Sequence, residues 1–270
     1  MKIATWNINS IKTRLNLLRN FLSKENLDIL LLQEIKCETE KFPFDELSDL
    51  PYHFYVHGQK SYNGVAIISK FPADKIIKDF QNNYCSDQAR FIEIKLSLSI
   101  GYSNIISLYA PNGSFVSSNK FVEKLKFYDN FINYLSTKKS CYEKTIIGGD
   151  FNIAPFDIDV YSSKVLTETT CCTKVEQKKL RTILNSGFED LYRLMHPNKQ
   201  EFSWWDYRAG CFEKNKGMRI DMILGCNNTI DYLEKCYMDY NFRTQKKPSD
   251  HIPIIANFCS SFSTKSGIKY

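Results

Sequence analysis

Apolar residues along the chain follow two rhythms. Runs rich in β-branched and aromatic residues, alternating with polar ones or continuously apolar, predict strands over Lys2–Ile8, Leu27–Gln33, His53–His57, Val65–Ser69, Phe91–Leu98 and Asn104–Tyr109. Further runs predict strands over Thr145–Gly148, Phe202–Trp205, Arg219–Leu224, Cys236–Phe242 and Ile252–Phe258. Between them, repeats at three- and four-residue steps predict helices over Ile11–Glu25, Lys120–Leu135 and Val175–Asn185, the last closing at Gly187. On the second helix the apolar stripe reads Phe121, Leu125, Tyr128, Ile132, Leu135. Strands outnumber helices, so the economical architecture is an α/β (α+β) fold of two packed sheets with helices on their outer faces. No long linker, low-complexity tract or short repeat interrupts the pattern. Residues 1–260 therefore read as a single domain, followed by a short polar tail over 261–270.

Composition narrows the setting. With 43% apolar and 14% aromatic residues, the chain can bury a large core. Nine cysteines, an odd number without a Cys-x-x-Cys pair, predict reduced thiols in a cytosol-like compartment. Cys171 and Cys172 are adjacent and too close for an easy disulfide. The opening MKIATWNINS runs straight into strand-like alternation, and apolar runs such as ILLL at 29–32 are too short to span a bilayer. A soluble, intracellular protein is expected. The net charge of +6 favours anionic partners without identifying one. Lysine outnumbers arginine 28 to 8, a skew that reads as an AT-rich coding genome rather than as function.

The ends of the strands carry the chemistry. Asn7 closes ATWNIN, Glu34 closes ILLLQEIK, Tyr109 with Asn112 closes ISLYAPNG, and Asp150 and Asn152 close IIGGDFN. Asp221 sits in MRIDMIL, and Asp250-His251 opens the last strand. Pro248 and Ser249 already supply turn chemistry there, so the Asp-His pair is surplus to folding. Singly, each of these groups reads as a strand-end acid or a satisfied core histidine. Together they raise a cost, because a carboxylate buried alone loses several kcal/mol or takes up a proton. Clustering around a cation and a polar substrate removes it. Glu34, Asp150, Asp221 and Asp250 with Asn7 and Asn152 form an oxygen-rich set that suits Mg²⁺ or Mn²⁺, and no Cys/His spacing suggests zinc.

The motifs WNIN, LLQEIK, YAPNG, GGDFN, FSWWDYR, GMRIDMIL and SDHIPI stand in this order over nearly the whole chain. In that register the chain closely resembles exonuclease III and the related abasic-site endonucleases, part of the endonuclease/exonuclease/phosphatase superfamily. The resemblance implies a four-layer, deoxyribonuclease I-like sandwich of mostly antiparallel sheets. It implies Glu34 as the principal Mg²⁺ ligand with Asn7 beside it, and Asp150, Asn152, Asp250 and His251 around the metal. By similarity Asp150 accepts the proton of the attacking water, Asn152 orients that water, and Tyr109 holds a phosphate oxygen or helps the leaving group. Asp221 accepts from His251, fixing its tautomer and favouring an imidazolium aimed at the scissile phosphate. Whether Asp150 or His251 is the base stays open at this level. Trp204 and Met218 match pocket positions for an extrahelical sugar. Lys36, Arg90, Asn112 and Arg219 are expected to meet DNA, with Lys120, Lys214, Lys216, Lys246 and Lys247 as further phosphate-facing candidates. Each of these charges also reads as an ordinary solvated surface group.

The implied function is a Mg²⁺-dependent DNA-repair nuclease, with Mn²⁺ as a substitute. It would cut the phosphodiester 5′ to abasic sites in duplex DNA and trim 3′ ends, as a monomer without a membrane partner, in a bacterial cytoplasm. The rival is a phosphatase of the same superfamily acting on inositol or lipid phosphates; FSWWDYR and the basic balance favour DNA. A non-enzymatic DNA-binding module would lack a catalytic residue, and none is missing. One segment departs from the family pattern: between Tyr161 and Leu180 the chain reads SSKVLTETTCCTKVEQKKL in place of a proline- and acid-containing run.

Overall fold

Alternation along each strand decides which side chains meet. The computed structural model describes residues 1–98, 101–137, 144–166 and 169–262. Cys141, Thr167, Glu168 and nearly all of the expected tail lie outside the described residues. The first half of the chain forms β1 (Lys2–Asn7), α1 (Ile11–Glu25), β2 (Ile29–Gln33), β3 (His53–His57), β4 (Val65–Ser69), β5 (Lys75–Ile77), β6 (Phe91–Leu98), β7 (Gly101–Tyr109) and α2 (Asn119–Ser136). The second half forms β8 (Lys144–Asp150), α3 (Ser163–Leu166), α4 (Lys174–Asn185), β9 (Phe188–Asp190), α5 (Leu191–Met195), β10 (Asp221–Cys226), α6 (Asn227–Ile230), β11 (Leu233–Met238) and β12 (Ile254–Phe258).

Two six-stranded sheets result, ordered β11-β12-β1-β2-β4-β3 and β5-β6-β7-β8-β10-β9. Pairing is antiparallel except between β1 and β2 and between β7 and β8. Ile3, Ile29, Leu31 and Ile67 of the first sheet face Ile92, Ile94, Ile105, Ile146 and Ile223 of the second across the central core. The alternate positions Ala4, Trp6, Leu30 and Leu32 point outward against Leu18, Phe21 and Leu22 of α1. On the far side, Ile106, Leu108, Ile147 and Leu224 pack under Phe127, Tyr128 and Phe131 of α2 and Leu180 and Ile183 of α4. ILLLQ and VAIIS are therefore buried throughout, since both faces of their sheet are covered. The four-layer α/β sandwich expected from the sequence is the fold observed.

Several elements differ from the sequence reading. Phe202–Trp205 is not a strand; Trp204 makes isolated bridges to Met218 and His251 instead. The strand expected over Cys236–Phe242 starts earlier, at Leu233, and ends at Met238 before a 3₁₀ turn over Tyr240–Thr244. The three-residue strands β5 and β9 are too short to show a period. The buried stripe of α2 runs through Phe121, Lys124, Phe127, Tyr128, Phe131 and Leu135, so that Leu125 and Ile132 lie to its side. The helix expected from Val175 starts one residue earlier, at Lys174, behind a reciprocal capping box of Thr173 and Glu176.

Two glycines set the spacing at one end of the sandwich. A Cβ on Gly148 would lie 2.4 Å from Leu31 Cδ1 and 3.1 Å from Thr5 Cβ, and one on Gly149 would lie 2.0 Å from the Leu108 carbonyl oxygen. Gly148 lets the two sheets close this far beside Asp150, and Gly149 lets β8 lie close against β7 within its own sheet. Beneath that end, Gln33 Nε2 bridges the sheets, donating to Thr5 Oγ1 (3.1 Å) and Ser107 Oγ (3.0 Å).

Candidate active site

Strand register brings the polar ends together. Asn7 pairs with Gln33 at the end of β1 and β2, one residue before Glu34. In the other sheet Asp150 is flanked by Tyr109 on one side and Asp221 on the other. His251 arrives ahead of β12, beside Trp204. Because neighbouring strands lie about 5 Å apart, side chains at one pole of both sheets converge on a common space.

Hydrogen bonds fix the arrangement. Asn7 Nδ2 donates to Glu34 Oε1 and to Asp150 Oδ2, each at 2.9 Å, while its Oδ1 accepts from the Asn9 backbone at 3.1 Å. His251 Nδ1 lies 2.8 Å from Asp221 Oδ2, leaving Nε2 3.8 Å from Asp150 Oδ2. Ser203 Oγ also donates to Asp221 Oδ2 at 2.6 Å. Asp150 Oδ1 accepts from the Asn152 backbone at 2.9 Å, and Asn152 Nδ2 donates to the Ala110 carbonyl at 2.9 Å. Asn112 Nδ2 donates to Asn152 Oδ1 at 3.0 Å. Asn9, Glu34, Lys36 and Asn152 all have positive φ, between 46° and 52°. Left-handed backbone at non-glycine residues costs on the order of 1 kcal/mol each and is kept where surroundings over-determine it.

Charge is unevenly shared. Burial, with Asp221 alongside, pushes the Asp150 carboxyl up to about 7 against the pull of His251 and Asn7. Burial alone would depress the His251 imidazolium, but Asp221, Asp150 and Asp250 outweigh it and raise it to about 10. Burial works against the Glu34 carboxylate too, yet Lys36, 2.8 Å away, and Asn7 hold it below its usual range. The Tyr109 phenol is driven well above its ordinary value by burial and by Glu34 and Asp150. Arg90 lies over its ring at 4.7 Å.

This electrostatic pattern has a consequence for stability. Asp150 and His251 are both raised, so without metal the folded state holds more protons than the unfolded chain. Stability is then lost as pH rises, from about 4 to about 7 through Asp150 and from 6.5 to about 10 through His251. The metal-free protein should lose on the order of 5 °C in Tm between about pH 6.5 and 9 beyond the change seen in His251→Gln. Equal slopes for the two proteins in a thermal melt series would contradict the assignment.

The donor set suits a hard divalent cation. Glu34, Asp150 and His251 each turn one ligand atom into a space where all lie within 4.8 Å of one another. Asp221 Oδ1 is buried close by without a hydrogen-bond partner. Two carboxylates and one imidazole, with no thiolate, fit a divalent cation that takes oxygen ligands.

Comparison with known proteins agrees with this geometry. The profile of the endonuclease/exonuclease/phosphatase family matches residues 4–251. Exodeoxyribonuclease III of Haemophilus influenzae is 33% identical over 266 residues, covering 96% of this chain and all of the relative. The chain belongs to this family. Among solved structures, a 3′ phosphatase from Neisseria bound to a product DNA hairpin superposes with a TM-score of 0.92 at 34% identity, covering 96% of this chain and 99% of that one. An AP endonuclease from Archaeoglobus fulgidus superposes at 0.91, also 34% identical, with the same coverage. The sequence motifs therefore resembled the branch to which the chain is similar throughout its length, and family members are metal-dependent hydrolases.

Asn7, Glu34, Tyr109, Asp150, Asn152, Asp221 and His251 converge at one pole. Asp250 is not among the three residues whose ligand atoms converge; its carboxylate accepts from Asn9 Nδ2 at 2.8 Å and from Trp204 Nε1 at 3.0 Å. It thereby braces the half-exposed Trp204 against the site, whereas Trp205 is wholly buried in the core. Trp204 packs with Met218 beside Val160 and Ile220. Lys36 Nζ bonds Asn9 Oδ1 at 2.5 Å as well as Glu34. Tyr62, Gln88, Arg90, Tyr109, Asn112 and Lys120 line an open groove of about 600 Å³ leading from the site. Lys214, Lys216, Lys246 and Lys247 are exposed.

Arg219 is a correction. Its guanidinium is fully buried, with Nε 2.6 Å from Asp159 Oδ1 and Nη1 2.6 Å from Asp190 Oδ2. Two carboxylates neutralise it inside the fold, so it is not a DNA contact. The sequence reading also passed over Asn9 and Ser203, and took Ser249 for turn chemistry alone. Ser203 and Ser249 lie inside the motifs FSWWDYR and SDHIPI, whose aromatic and charged members carry the more obvious chemistry. Ser249 Oγ donates to the Asn7 carbonyl at 2.7 Å and accepts from the His251 backbone at 3.2 Å, joining the first and last strands.

Proposed function

We propose that this protein is a DNA-repair nuclease that hydrolyses the phosphodiester 5′ to abasic sites in duplex DNA and removes nucleotides and blocking groups from 3′ ends. The observation that carries the reading is the convergence of Glu34, Asp150 and the Asp221-bound His251 beside a half-exposed tryptophan. Mg²⁺, with Mn²⁺ as substitute, would be held by Glu34 and Asp150 with His251 next to it. When bound, such a cation supplies Lewis-acid charge to phosphate oxygens. The chain's own residues do the rest. His251, raised to about 10, is charged at neutral pH and donates from Nε2 to the scissile phosphate. Asp150, with its carboxylate 3.8 Å from His251 Nε2, would accept the proton of an in-line water. Asn7 and Asn152 keep that carboxylate oriented, and the Tyr109 phenol, protonated throughout the working range, donates to a phosphate oxygen.

Residues 1–260 form one catalytic unit in this reading, since β12 pairs with β1 across the sequence. The enzyme would work as a monomer in the bacterial cytoplasm. Among the described residues no helix is long and apolar enough to cross a membrane.

Trp204 separates nuclease from phosphatase. If its ring covers roughly 50 Å² of a baseless sugar, burial at about 25 cal/mol/Å² is worth about 1 kcal/mol. Trp204→Ala should then lower kcat/KM on an abasic duplex by about tenfold, with a smaller effect on a minimal phosphodiester that never enters the pocket. Tm is measured alongside, because a tryptophan cut to alanine in a core costs about 3 to 5 kcal/mol. A folded variant with equal losses on both substrates rules out the pocket. Release of phosphate from an inositol phosphate, with no DNA cleavage, would favour the phosphatase.

A further inference from the structure

We propose that Lys124, paired with Glu176, is a positioning residue that holds Asn112 and Asn152 in place at the active site; the inference rests on the functional reading above. Lys124 lies in the buried stripe of α2, fully enclosed between Phe121 and Tyr128. A lysine carries three donors, and here each has an acceptor. Nζ donates to the Asn112 carbonyl at 3.0 Å, to the Asn152 carbonyl at 2.6 Å, and to the Glu176 carboxylate. Glu176 in turn accepts from the Cys171 backbone at 2.9 Å, the Thr173 backbone at 3.0 Å and Thr173 Oγ1 at 2.7 Å. One enclosed ion pair thus ties the turn after β7, the turn after β8 and the start of α4 to a single point.

The two carbonyls it grips belong to residues that meet in the site, where Asn112 Nδ2 donates to Asn152 Oδ1. Asn152 has a φ of 50°, a conformation that needs outside support. The Asn112 turn rests directly on the lysine stem: Gly113 has a φ of +92°, and a Cβ there would come within 3.0 Å of both Lys124 Cδ and Thr170 Oγ1. Thr170 Oγ1 donates to the same Asn112 carbonyl at 2.7 Å. Packing alone does not call for this pair. Enclosed ion pairs can commonly be replaced by apolar residues of similar volume without loss of stability. What an apolar pair would not supply is an N–H on each carbonyl behind Asn112 and Asn152.

The test compares Lys124→Met with the double variant Lys124→Met/Glu176→Gln, which removes both charges while keeping an acceptor for the α4 cap. Tm and steady-state cleavage of an abasic-site duplex in Mg²⁺ are measured for each. Lys124→Met leaves Glu176 enclosed without its cation and should lose stability. The double variant should regain most of the Tm yet keep a kcat about tenfold below wild type, with KM within about threefold, as expected when transition-state placement and not substrate binding is lost. Recovery of kcat in step with Tm would make the pair purely structural and overturn the inference, as would a double variant unable to fold. An inactive wild type would overturn the proposed function and this inference together; an active wild type with a fully active double variant overturns this inference alone.

Discussion

Replacing His251 by alanine or Asp150 by asparagine should each lower kcat on an abasic-site duplex by about a hundredfold or more. His251 is held by Asp221 at 2.8 Å with Nε2 3.8 Å from Asp150 Oδ2, so the two groups face the same small space from opposite sides. In the proposed mechanism their roles divide by charge: the imidazolium would stabilise negative charge on phosphate, and the carboxylate would take a proton. Neither change removes a groove residue, so binding of duplex DNA without metal should survive in a titration of labelled DNA. The decisive result is the double variant. Groups that serve one step are not additive, so it should be little worse than the worse single variant. Losses that multiply would mean separate steps and would sink the shared-step account.

Glu34→Gln should shift the Mg²⁺ needed for half-maximal cleavage upward by about tenfold or more and depress the rate at saturation, because a neutral amide replaces the carboxylate proposed to hold the cation. Glu34 is half-buried and paired with Lys36 at 2.8 Å, and glutamine keeps an oxygen in the carboxylate's place to accept from Lys36 and Asn7. The metal-free Tm should accordingly change little. A metal requirement equal to that of wild type would remove Glu34 from the metal site, and a large drop in metal-free Tm would make it a structural residue.

How far the sequence reveals this molecule depends on whether the relevant signal is local. β2 and β4 are legible because five successive buried residues, bounded by polar ones and too short for a helix, fit a strand covered on both faces. Most of the converging residues are legible because they stand at or beside a strand end, and a polar group repeated at strand ends marks one pole of a sandwich. Arg219 shows the limit. Its charge looks available beside GMRID, and the carboxylates that neutralise it stand 60 and 29 positions away in the chain. Lys124 is the same case, an ordinary helix lysine in sequence whose partner Glu176 is 52 positions on. Phe202–Trp205 misleads differently: its alternation is real, but it serves to place Trp204 against His251 and Met218 through single bridges and not a ladder.

The chemistry of the cut ends tests the central claim most directly. A duplex with one abasic site, labelled 5′ on the damaged strand, is incubated with the protein in Mg²⁺ and then offered to a DNA polymerase with nucleotides. Hydrolysis by an in-line water on the 5′ side leaves a 3′ hydroxyl. The labelled fragment should therefore be extended, and chelation of the metal should abolish its formation. A fragment that forms without metal and cannot be extended would show strand breakage on the 3′ side of the sugar by elimination, contradicting the assignment of Glu34, Asp150 and His251 to metal-assisted hydrolysis.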